Sequence, residues 1–418
     1  MFLLDDNLHW SASDLTAAAE CEYGFLRRLD DKLGRAERVL PAEDPLQEHI
    51  ARLGDAHEGR LLADLRATSD VAEMAHLAGP STADALDDAR TKTLAAFDSG
   101  ADVVYQATFS DGEFFGYADF VERAEDGWRV CDAKLARSAK PKALIQLGAY
   151  ADQLRRAGLP VSSTVSLLLG DGQRVDFPLV DVLPVFEERR DRLRQMIAEH
   201  TAEDSAVAWG DDRYVACGRC PDCDQAVTDT GDVIRVAGLR MEQRKKLRAA
   251  GITTVSELAA ATAKPAGMAT GTFDSLRAQA VLQLQQMASG DVSYELTAGA
   301  GEALPKLPAP SPGDLFFDFE GDPLYDEGDP SRVGLEYLWG VLDTDEHYTA
   351  TWAHSWAEER AAFVAFMDDV AARRATHPDM HIYHYAPYET TALKRLAMRY
   401  QAKEKELDDL LRSQVFVD

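Results

Sequence analysis

The sequence has no long hydrophobic run and no excess of positive charge, and both absences limit what the protein can be. No apolar segment approaches the roughly 20 residues that a membrane span needs, and the acidic stretch 1–14 lacks the lysines of a signal peptide. With 44 basic and 72 acidic residues, the formal charge is -28, which argues against a general nucleic-acid binder. We therefore expect a cytoplasmic protein with no membrane partner, whose contacts with any polyanion are local.

Phosphate-binding loops and cysteines are also scarce. The sequence contains no GxxxxGK loop, which excludes a Walker-type ATPase in this chain. Its five cysteines, in a cytosolic protein, indicate metal ligation or chance occurrence more than disulfides. At 418 residues, with 46% hydrophobic and 28% charged residues, the chain fits two or three globular domains.

Helix and strand patterns divide the chain into four segments. Residues 1–228 carry helical spacing over 44–68 and 81–97, three strands in an antiparallel meander (103–109, 114–123, 128–135), a helix over 142–157 and a hairpin turning at 170–172. Residues 229–298 predict a small all-α module, 299–312 a proline-rich linker, and 313–418 a second domain of strands and helices, with a single helix over 390–412. The fold class is therefore α/β.

Two acids and a lysine fall on the second and third predicted strands. Asp119 lies in GYADFVER, and Asp132 and Lys134 lie two residues apart in VCDAKLA, so strand periodicity puts the latter two on one face. Carboxylates from neighbouring strands can hold a divalent ion, and a nearby lysine can orient water or stabilise phosphate charge. This is the chemistry of phosphodiester hydrolysis.

Other polar residues can reach the same place. Gln146 and Tyr150 are four residues apart and share one helix face. His57, in GDAHEGRLL, can add a nitrogen ligand from the earlier helix, and His49 lies eight residues before it.

In this order, the motifs resemble the RecB-family nucleases of the PD-(D/E)xK superfamily, over about half of the chain. The matching pieces are Gly54 to His57, Gly116 to Asp119, Asp132 to Lys134, and Gln146 to Tyr150. The resemblance implies a restriction-endonuclease-like core in which Mg²⁺ or Mn²⁺ is held by His57, Asp119, Asp132 and the Ala133 carbonyl. It makes Lys134 catalytic, places Gln146 and Tyr150 at the site, and favours His57 over His49 because a glycine precedes it in the family position.

Four cysteines form a second constellation. Cys21 lies near the N-terminus, whereas Cys217, Cys220 and Cys223 form CGRCPDC, just past the last helix predicted for the first domain. Such a set can complete thiolate ligation of one metal centre. The layout is similar to iron-sulfur members of the RecB family and implies a structural 4Fe-4S cluster, although that family separates its last two cysteines more widely. Structural Zn²⁺ is the alternative, and Cys131 is expected to be a packed strand residue.

The last segment carries its own acidic pair. In DLFFDFEG, alternation places Leu315, Phe317 and Phe319 on one face and Asp318 and Glu320 on the other. This segment resembles the start of an RNase H-like exonuclease fold of the DEDD type, which implies a possible second metal site at Asp318 and Glu320. Glu389 and Asp418 are candidates for the further acids, and a degenerate scaffold is the alternative. The final VFVD predicts the opening of another strand, so the domain is expected to be cut short.

The combination is similar to the N-terminal part of bacterial nucleases that continue into a superfamily 1 helicase. The helical module is similar to helix-hairpin-helix elements with a basic cluster, or else presents a solvated helix face; the cluster comprises Arg244, Lys245, Lys246 and Arg248. We expect a metal-dependent DNA nuclease acting on single-stranded or end-bearing DNA in repair or processing, partnered by a helicase region in the same protein or a separate helicase. The alternative is a non-catalytic nucleic-acid-binding scaffold with a structural metal centre.

Overall fold

The structure is a computed structural model that describes residues 1–5, 7–41, 43–77, 82–296, 299, 301, 307–329 and 332–418. These residues form two compact units, Met1–Tyr294 and Glu295–Asp418. Of the segment predicted to be a proline-rich linker (299–312), residues 300 and 302–306 lie outside the described residues. Within the described ranges, no helix combines the length and apolarity needed to cross a bilayer.

The first unit is built on a six-stranded mixed sheet. Its early elements are β1 (Phe2–Leu4), β2 (Asn7–His9), α1 (Ala12–Glu20), α2 (Glu22–Lys32), α3 (Pro45–Thr68), β3 (Val71–Glu73) and α4 (Ala83–Asp98). Then follow β4 (Val103–Ser110), β5 (Phe115–Ala124), β6 (Gly127–Lys134), α5 (Pro141–Arg156), β7 (Thr164–Leu169), β8 (Arg174–Pro178), α6 (Leu179–Thr201) and α7 (Pro221–Thr230). The sheet order is β3-β4-β5-β6-β7-β8. The predicted antiparallel meander is confirmed as β4-β5-β6, and α5 connects β6 to the parallel strand β7.

Helices cover both faces of this sheet. Val130 of β6 packs in the main core with Leu147 of α5, whereas the next residue, Cys131, packs in a second cluster with Leu62 of α3. Since successive strand residues point to opposite faces, α5 and α3 lie on opposite sides of β6. Asp132 has the parity of Val130, so its side chain lies on the face covered by α5.

The predicted all-α module forms the rest of the first unit, as α8 (Met241–Ala249), α9 (Val255–Ala260) and α10 (Thr270–Ser289) after a short 3₁₀ turn at Val233–Arg235. Arg244 donates from Nε to Asp232 Oδ1 at 2.8 Å, and Trp209 donates from its indole to Asp232 Oδ2 at 2.8 Å. Arg244 is only 5% exposed. It is therefore part of a buried ion pair and belongs neither to a solvated helix face nor to a surface that contacts DNA.

In the second unit, the described residues form a five-stranded sheet and three helices. Its elements are β9 (Leu315–Asp322), β10 (Leu335–Asp343), β11 (Tyr348–Trp352), α11 (Trp356–Thr376), β12 (Ile382–Tyr383), α12 (Tyr388–Tyr400), α13 (Glu404–Arg412) and β13 (Phe416–Val417). The sheet order is β11-β10-β9-β12-β13, with β12 parallel to both β9 and β13. The strand predicted from VFVD is thus confirmed.

Two boundaries predicted from the sequence are wrong. The single helix expected over 390–412 is divided into α12 and α13, because Gln401 and Lys403 take left-handed φ values of 48° and 58°. This conformation costs about 1 kcal/mol or more per residue, but the turn lets Leu407 and Leu410 of α13 pack in the core. The cysteine triplet does not follow the last helix of its segment either, because α7 begins at Pro221 and carries Cys223.

Candidate functional site

The structure brings the predicted acids and lysine together on adjacent strands. Asp119 lies on β5, and Asp132 and Lys134 lie on β6. The backbone N–H of Ala133 donates to Asp119 Oδ2 at 3.0 Å, which fixes that carboxylate against the next strand. Lys134 Nζ lies 2.6 Å from Asp132 Oδ2. The result is a compact group of two carboxylates and one ammonium.

Burial makes the negative charge of this group costly. It raises the pKa of Asp119 to about 7, and the neighbouring charge of Asp132 acts in the same direction. The pKa of Asp132 is also raised by burial, and the charge of Lys134 only partly offsets this. One lysine therefore does not neutralise the two carboxylates, so the site calls for further positive charge.

A divalent cation fits this requirement. Asp132 is buried, and Lys134 Nζ, 2.6 Å from its Oδ2, is the cation that lies beside it. Two carboxylates are the hard oxygen donors that Mg²⁺ and Mn²⁺ prefer. Asp119 and Asp132 are thus the residues that would hold the ion.

His57 lies on α3 and not on the strands that carry the two carboxylates. It is buried on α3, and its Nε2 lies 3.3 Å from the Leu168 carbonyl of β7. Among the described residues, only the four cysteines of the second constellation form a set of three or more ligand atoms within 4.8 Å. Among the described residues, His57, Asp119 and Asp132 therefore do not bring three ligand atoms within that distance of one another. The role of His57 and of the Ala133 carbonyl as metal ligands stays a prediction.

Tyr150 of α5 lies over β5. A Cβ atom placed on Gly116 would lie 2.8 Å from the Tyr150 hydroxyl oxygen, which shows that the tyrosine occupies the space left by the missing side chain. This contact explains the glycine three residues before Asp119. Burial raises the pKa of Tyr150, and the charges of Asp119 and Asp132 raise it further. Gln146, one turn earlier, lines a cleft together with Lys134.

Sequence reasoning missed one acid, Glu58. Its Oε1 accepts hydrogen bonds from the Tyr105 hydroxyl at 2.9 Å and from Gln106 Nε2 at 2.5 Å. Its charge also contributes to raising the pKa of Asp132. Gln106 sits at a φ of 53°, a strained value for a strand residue. The only signal in the sequence is that Glu58 directly follows His57.

The charge of Asp119 should destabilise the metal-free protein. Its folded-state pKa lies above the unfolded value near 3.9, so stability falls as pH rises from about 4 to about 7 and stays low above that. We expect Asp119→Asn to raise the melting temperature in chelator at pH 8 by several degrees, and by less at pH 5. Asparagine keeps an acceptor for the Ala133 N–H. Thermal melting against the exposed control Asp88→Asn tests this, and a lower melting temperature for Asp119→Asn at pH 8 would contradict it.

The four cysteines converge on one point. The Sγ–Sγ distances are 3.5 Å for Cys21 and Cys223, 3.8 Å for Cys21 and Cys220, and 3.9 Å for Cys217 and Cys223. Backbone N–H groups of Gly24 and Cys217 point at Cys21 Sγ, at 3.3 and 3.4 Å. Hydrogen bonds from neighbouring thiols and these amides lower the pKa of Cys21 to about 4.

These sulfur distances fit a single tetrahedral ion. Ligands about 2.3 Å from a zinc ion lie about 3.8 Å from one another in a regular tetrahedron. The site also has no room to spare, because a Cβ atom on Gly24 would lie 3.0 Å from Cys220 Sγ. Cys131 is fully buried on β6, as predicted for a packed strand residue.

The acidic pair of the second unit lies on the face predicted for it. Along β9, Leu315, Phe317 and Phe319 are buried, whereas Asp318 and Glu320 are exposed. The two acids line a cleft of about 640 Å³, together with His384 and Tyr385.

The two further acidic candidates differ in their surroundings. Glu389 is 2% exposed and its Oε2 lies 3.2 Å from His384 Nδ1. Burial raises the pKa of Glu389, and the charge of Asp318 acts in the same direction, which places these acids close together. Asp418 instead accepts a hydrogen bond from the Ala386 backbone. Glu389 is therefore the better candidate for a third acid.

Comparison with known proteins identifies two superfamilies along the chain. Residues 9–224, just over half of the chain, match the PD-(D/E)XK nuclease superfamily, and residues 315–418 match the RNase H superfamily. The chain belongs to the PD-(D/E)XK nuclease superfamily and carries an RNase H-like domain after it. The predicted membership of the PD-(D/E)xK superfamily and the predicted RNase H-like fold of the last segment are thereby confirmed.

Individual proteins add little to these family matches. The crystal structure of a candidate exonuclease from Eubacterium rectale is similar at 13% sequence identity and a TM-score of 0.31, covering 57% of this chain and all of that one. No curated protein matches the chain.

Proposed function

We propose that this chain is a divalent-metal-dependent deoxyribonuclease of the RecB type, which hydrolyses phosphodiester bonds in single-stranded or end-bearing DNA. The observation that carries the proposal is the pair of carboxylates on adjacent strands, with Lys134 Nζ 2.6 Å from Asp132. A buried acid pair with one lysine is costly as a purely structural feature.

Each residue has a distinct task in this proposal. Bound Mg²⁺ or Mn²⁺ would supply Lewis acidity toward the phosphate and the attacking water. Asp119 and Asp132 would hold the ion, with Asp119 fixed by the Ala133 N–H. Lys134, positioned by Asp132, would donate to a phosphate oxygen and stabilise the charge that develops there. Tyr150 stays protonated because its pKa is raised, so its hydroxyl can donate a hydrogen bond but cannot act as a base.

The cysteine centre serves as a structural link in the same proposal. It joins α2, near the start of the nuclease domain, to α7 at its end. In a 4Fe-4S cluster each thiolate binds a different iron atom, which requires sulfurs farther apart than those around a single ion. The distances of 3.5 to 3.9 Å therefore favour Zn²⁺ over the cluster.

Turnover tests the proposed activity. Purified protein is incubated with Mg²⁺, Mn²⁺ or chelator and with labelled single strands, blunt and overhanging duplexes, closed circles, and an RNA strand of the same sequence. Metal-dependent loss of the single strands or end-bearing duplexes supports the nuclease. Binding of DNA without any cleavage would instead support the scaffold alternative, and preferential cleavage of RNA would overturn the DNA assignment.

The second acidic pair is not expected to contribute to this cleavage. In our proposal Asp119 and Asp132 carry the reaction, and the acids of β9 belong to the other compact unit and have no part in it. The double variant Asp318→Ala/Glu320→Ala should therefore keep cleavage within about threefold of the unmodified protein. Initial rates measured beside Asp132→Ala check this, and a loss as large as that of Asp132→Ala would place the chemistry in the RNase H-like domain.

A further inference from the structure

The connection from β6 to α5 departs from the charge balance of the chain. The whole protein has 44 basic and 72 acidic residues, yet residues 133–151 contain no acid. Four basic residues fall in this stretch: Lys134, Arg137, Lys140 and Lys142. A polyanion approaching a protein of charge -28 is repelled over most of its surface, so such a local basic segment has a strong influence on where it binds.

In the folded protein, residues of this segment line one cleft. The cleft has a volume of about 320 Å³, and Lys134, Lys140, Lys142 and Gln146 are among the residues that line it. Lys134 and Gln146 belong to the proposed active site, so the cleft leads directly away from the reacting group. Glu20 also lines the cleft and lies 3.2 Å from Lys142. Both side chains of that pair are about 60% exposed, so the ion pair is weak and exchangeable.

The start of α5 adds to the positive potential. This helix has 16 residues, and its N-cap, Lys140, makes no side-chain capping hydrogen bond. Its N-terminal end carries a partial positive charge, which attracts anions. Within the described ranges, no acid forms an ion pair with Lys140, which is exposed. The charges of the lysine side chains and the partial positive charge at the N-terminus of α5 therefore act at the same cleft.

We propose that this cleft binds the sugar-phosphate backbone of the DNA strand adjacent to the scissile phosphate, with Lys140 and Lys142 each contacting one phosphate. The inference rests on the proposed nuclease function and adds the path of the strand. Phosphate fits better than an acidic peptide, because the cleft is continuous with Lys134, the residue proposed to meet the scissile phosphate. The two lysines are positioning residues and take no part in the chemistry.

Binding and its salt dependence test the proposal. The double variant Lys140→Gln/Lys142→Gln is made in an Asp132→Asn background, which suppresses cleavage, and titrated with a fluorescent single-stranded oligonucleotide at several salt concentrations. We expect the dissociation constant to rise about tenfold and the slope of log affinity against log salt to fall by about 1.4, since each lost phosphate contact removes about 0.7. Lys140→Arg/Lys142→Arg should restore both values.

A matched control and a kinetic measurement complete the test. Arg90→Gln/Lys92→Gln removes the same charge from two exposed sites on α4 of the same unit and should leave affinity and slope nearly unchanged. With Asp132 intact, the cleft variant should raise KM far more than it lowers kcat. If affinity and slope are unchanged in the cleft variant while the unmodified protein still cleaves DNA, the proposed path of the strand along the cleft is contradicted, but the nuclease function is not. Absence of any DNA binding or cleavage by the unmodified protein would overturn the proposed function itself.

Discussion

Alanine at Asp119, Asp132 or Lys134 should reduce DNA cleavage by a factor on the order of 10²–10³ or more, the range seen when a group that stabilises transition-state charge is removed. Substituting either aspartate would remove a ligand of the ion, and substituting the lysine would remove the positive charge that faces the phosphate. Initial rates on a labelled single strand, at saturating Mg²⁺, measure the effect. Asp88→Ala, an exposed aspartate on α4, is the control and should cleave normally.

Melting in chelator separates these losses from misfolding. Variants of the acids remove costly buried charge and should melt at or above the temperature of the unmodified protein. Lys134→Ala leaves Asp132 without its cation and should melt lower, because an unpaired buried carboxylate is unfavourable. Near-normal cleavage by any of the three alanine variants would contradict the site assignment.

Among the substitutions considered, loss of a cysteine from the four-cysteine centre should lower the stability of the protein most. Cys21→Ala or Cys220→Ala removes one of four ligands, and structural zinc sites contribute on the order of 10 kcal/mol to folding. A domain is normally only about 5 to 15 kcal/mol stable. We therefore expect the metal to be lost, the melting temperature to fall by about 10 °C or more, and proteolysis to begin near α2 and α7. Cleavage by the protein that remains folded should decline less.

Cys131→Ala is the matched control, because this cysteine is buried on β6 outside the cluster. It should keep its metal and lose at most a small part of its stability. Metal analysis also identifies the centre: one zinc per chain fits the sulfur distances, whereas iron with labile sulfide would establish the 4Fe-4S cluster instead. Metal loss with unchanged melting and no cleavage would show that the centre is catalytic, and unchanged metal content would exclude that cysteine as a ligand.

Local patterns were enough to predict the centre of the nuclease domain. The strands β4, β5 and β6 lie within one or two residues of their predicted bounds, because short turns separate runs of apolar strand-forming residues. The proximity of Asp132 and Lys134 follows from a spacing of two on one strand. Asp119 joins them because the antiparallel pairing of β5 and β6 was itself predictable.

Long-range contacts were beyond the reach of such patterns. The sequence pattern gave Arg244 the same character as the exposed basic residues beside it. In the structure it donates a hydrogen bond to Asp232 and stacks on the ring of Trp209, which are 12 and 35 residues away in sequence. Glu58 had no periodic signal, and its place is set by Tyr105 and Gln106 on another element. The break after α12 also lacked a glycine or proline, because core packing of α13 outweighs the backbone preference of Gln401.

The placement of the four sulfurs has a consequence for the order of biosynthesis. A ribosome delivers Cys21 early, and the whole six-stranded sheet of residues 71–178 follows before the last three ligands are made. Chains fold domain by domain from the N-terminus as they emerge, but this ligand set is complete only once residue 223 has left the ribosome. The metal link between α2 and α7 can therefore form only after the sheet has been made, and metal supply at that moment sets when the two ends of the nuclease domain become joined.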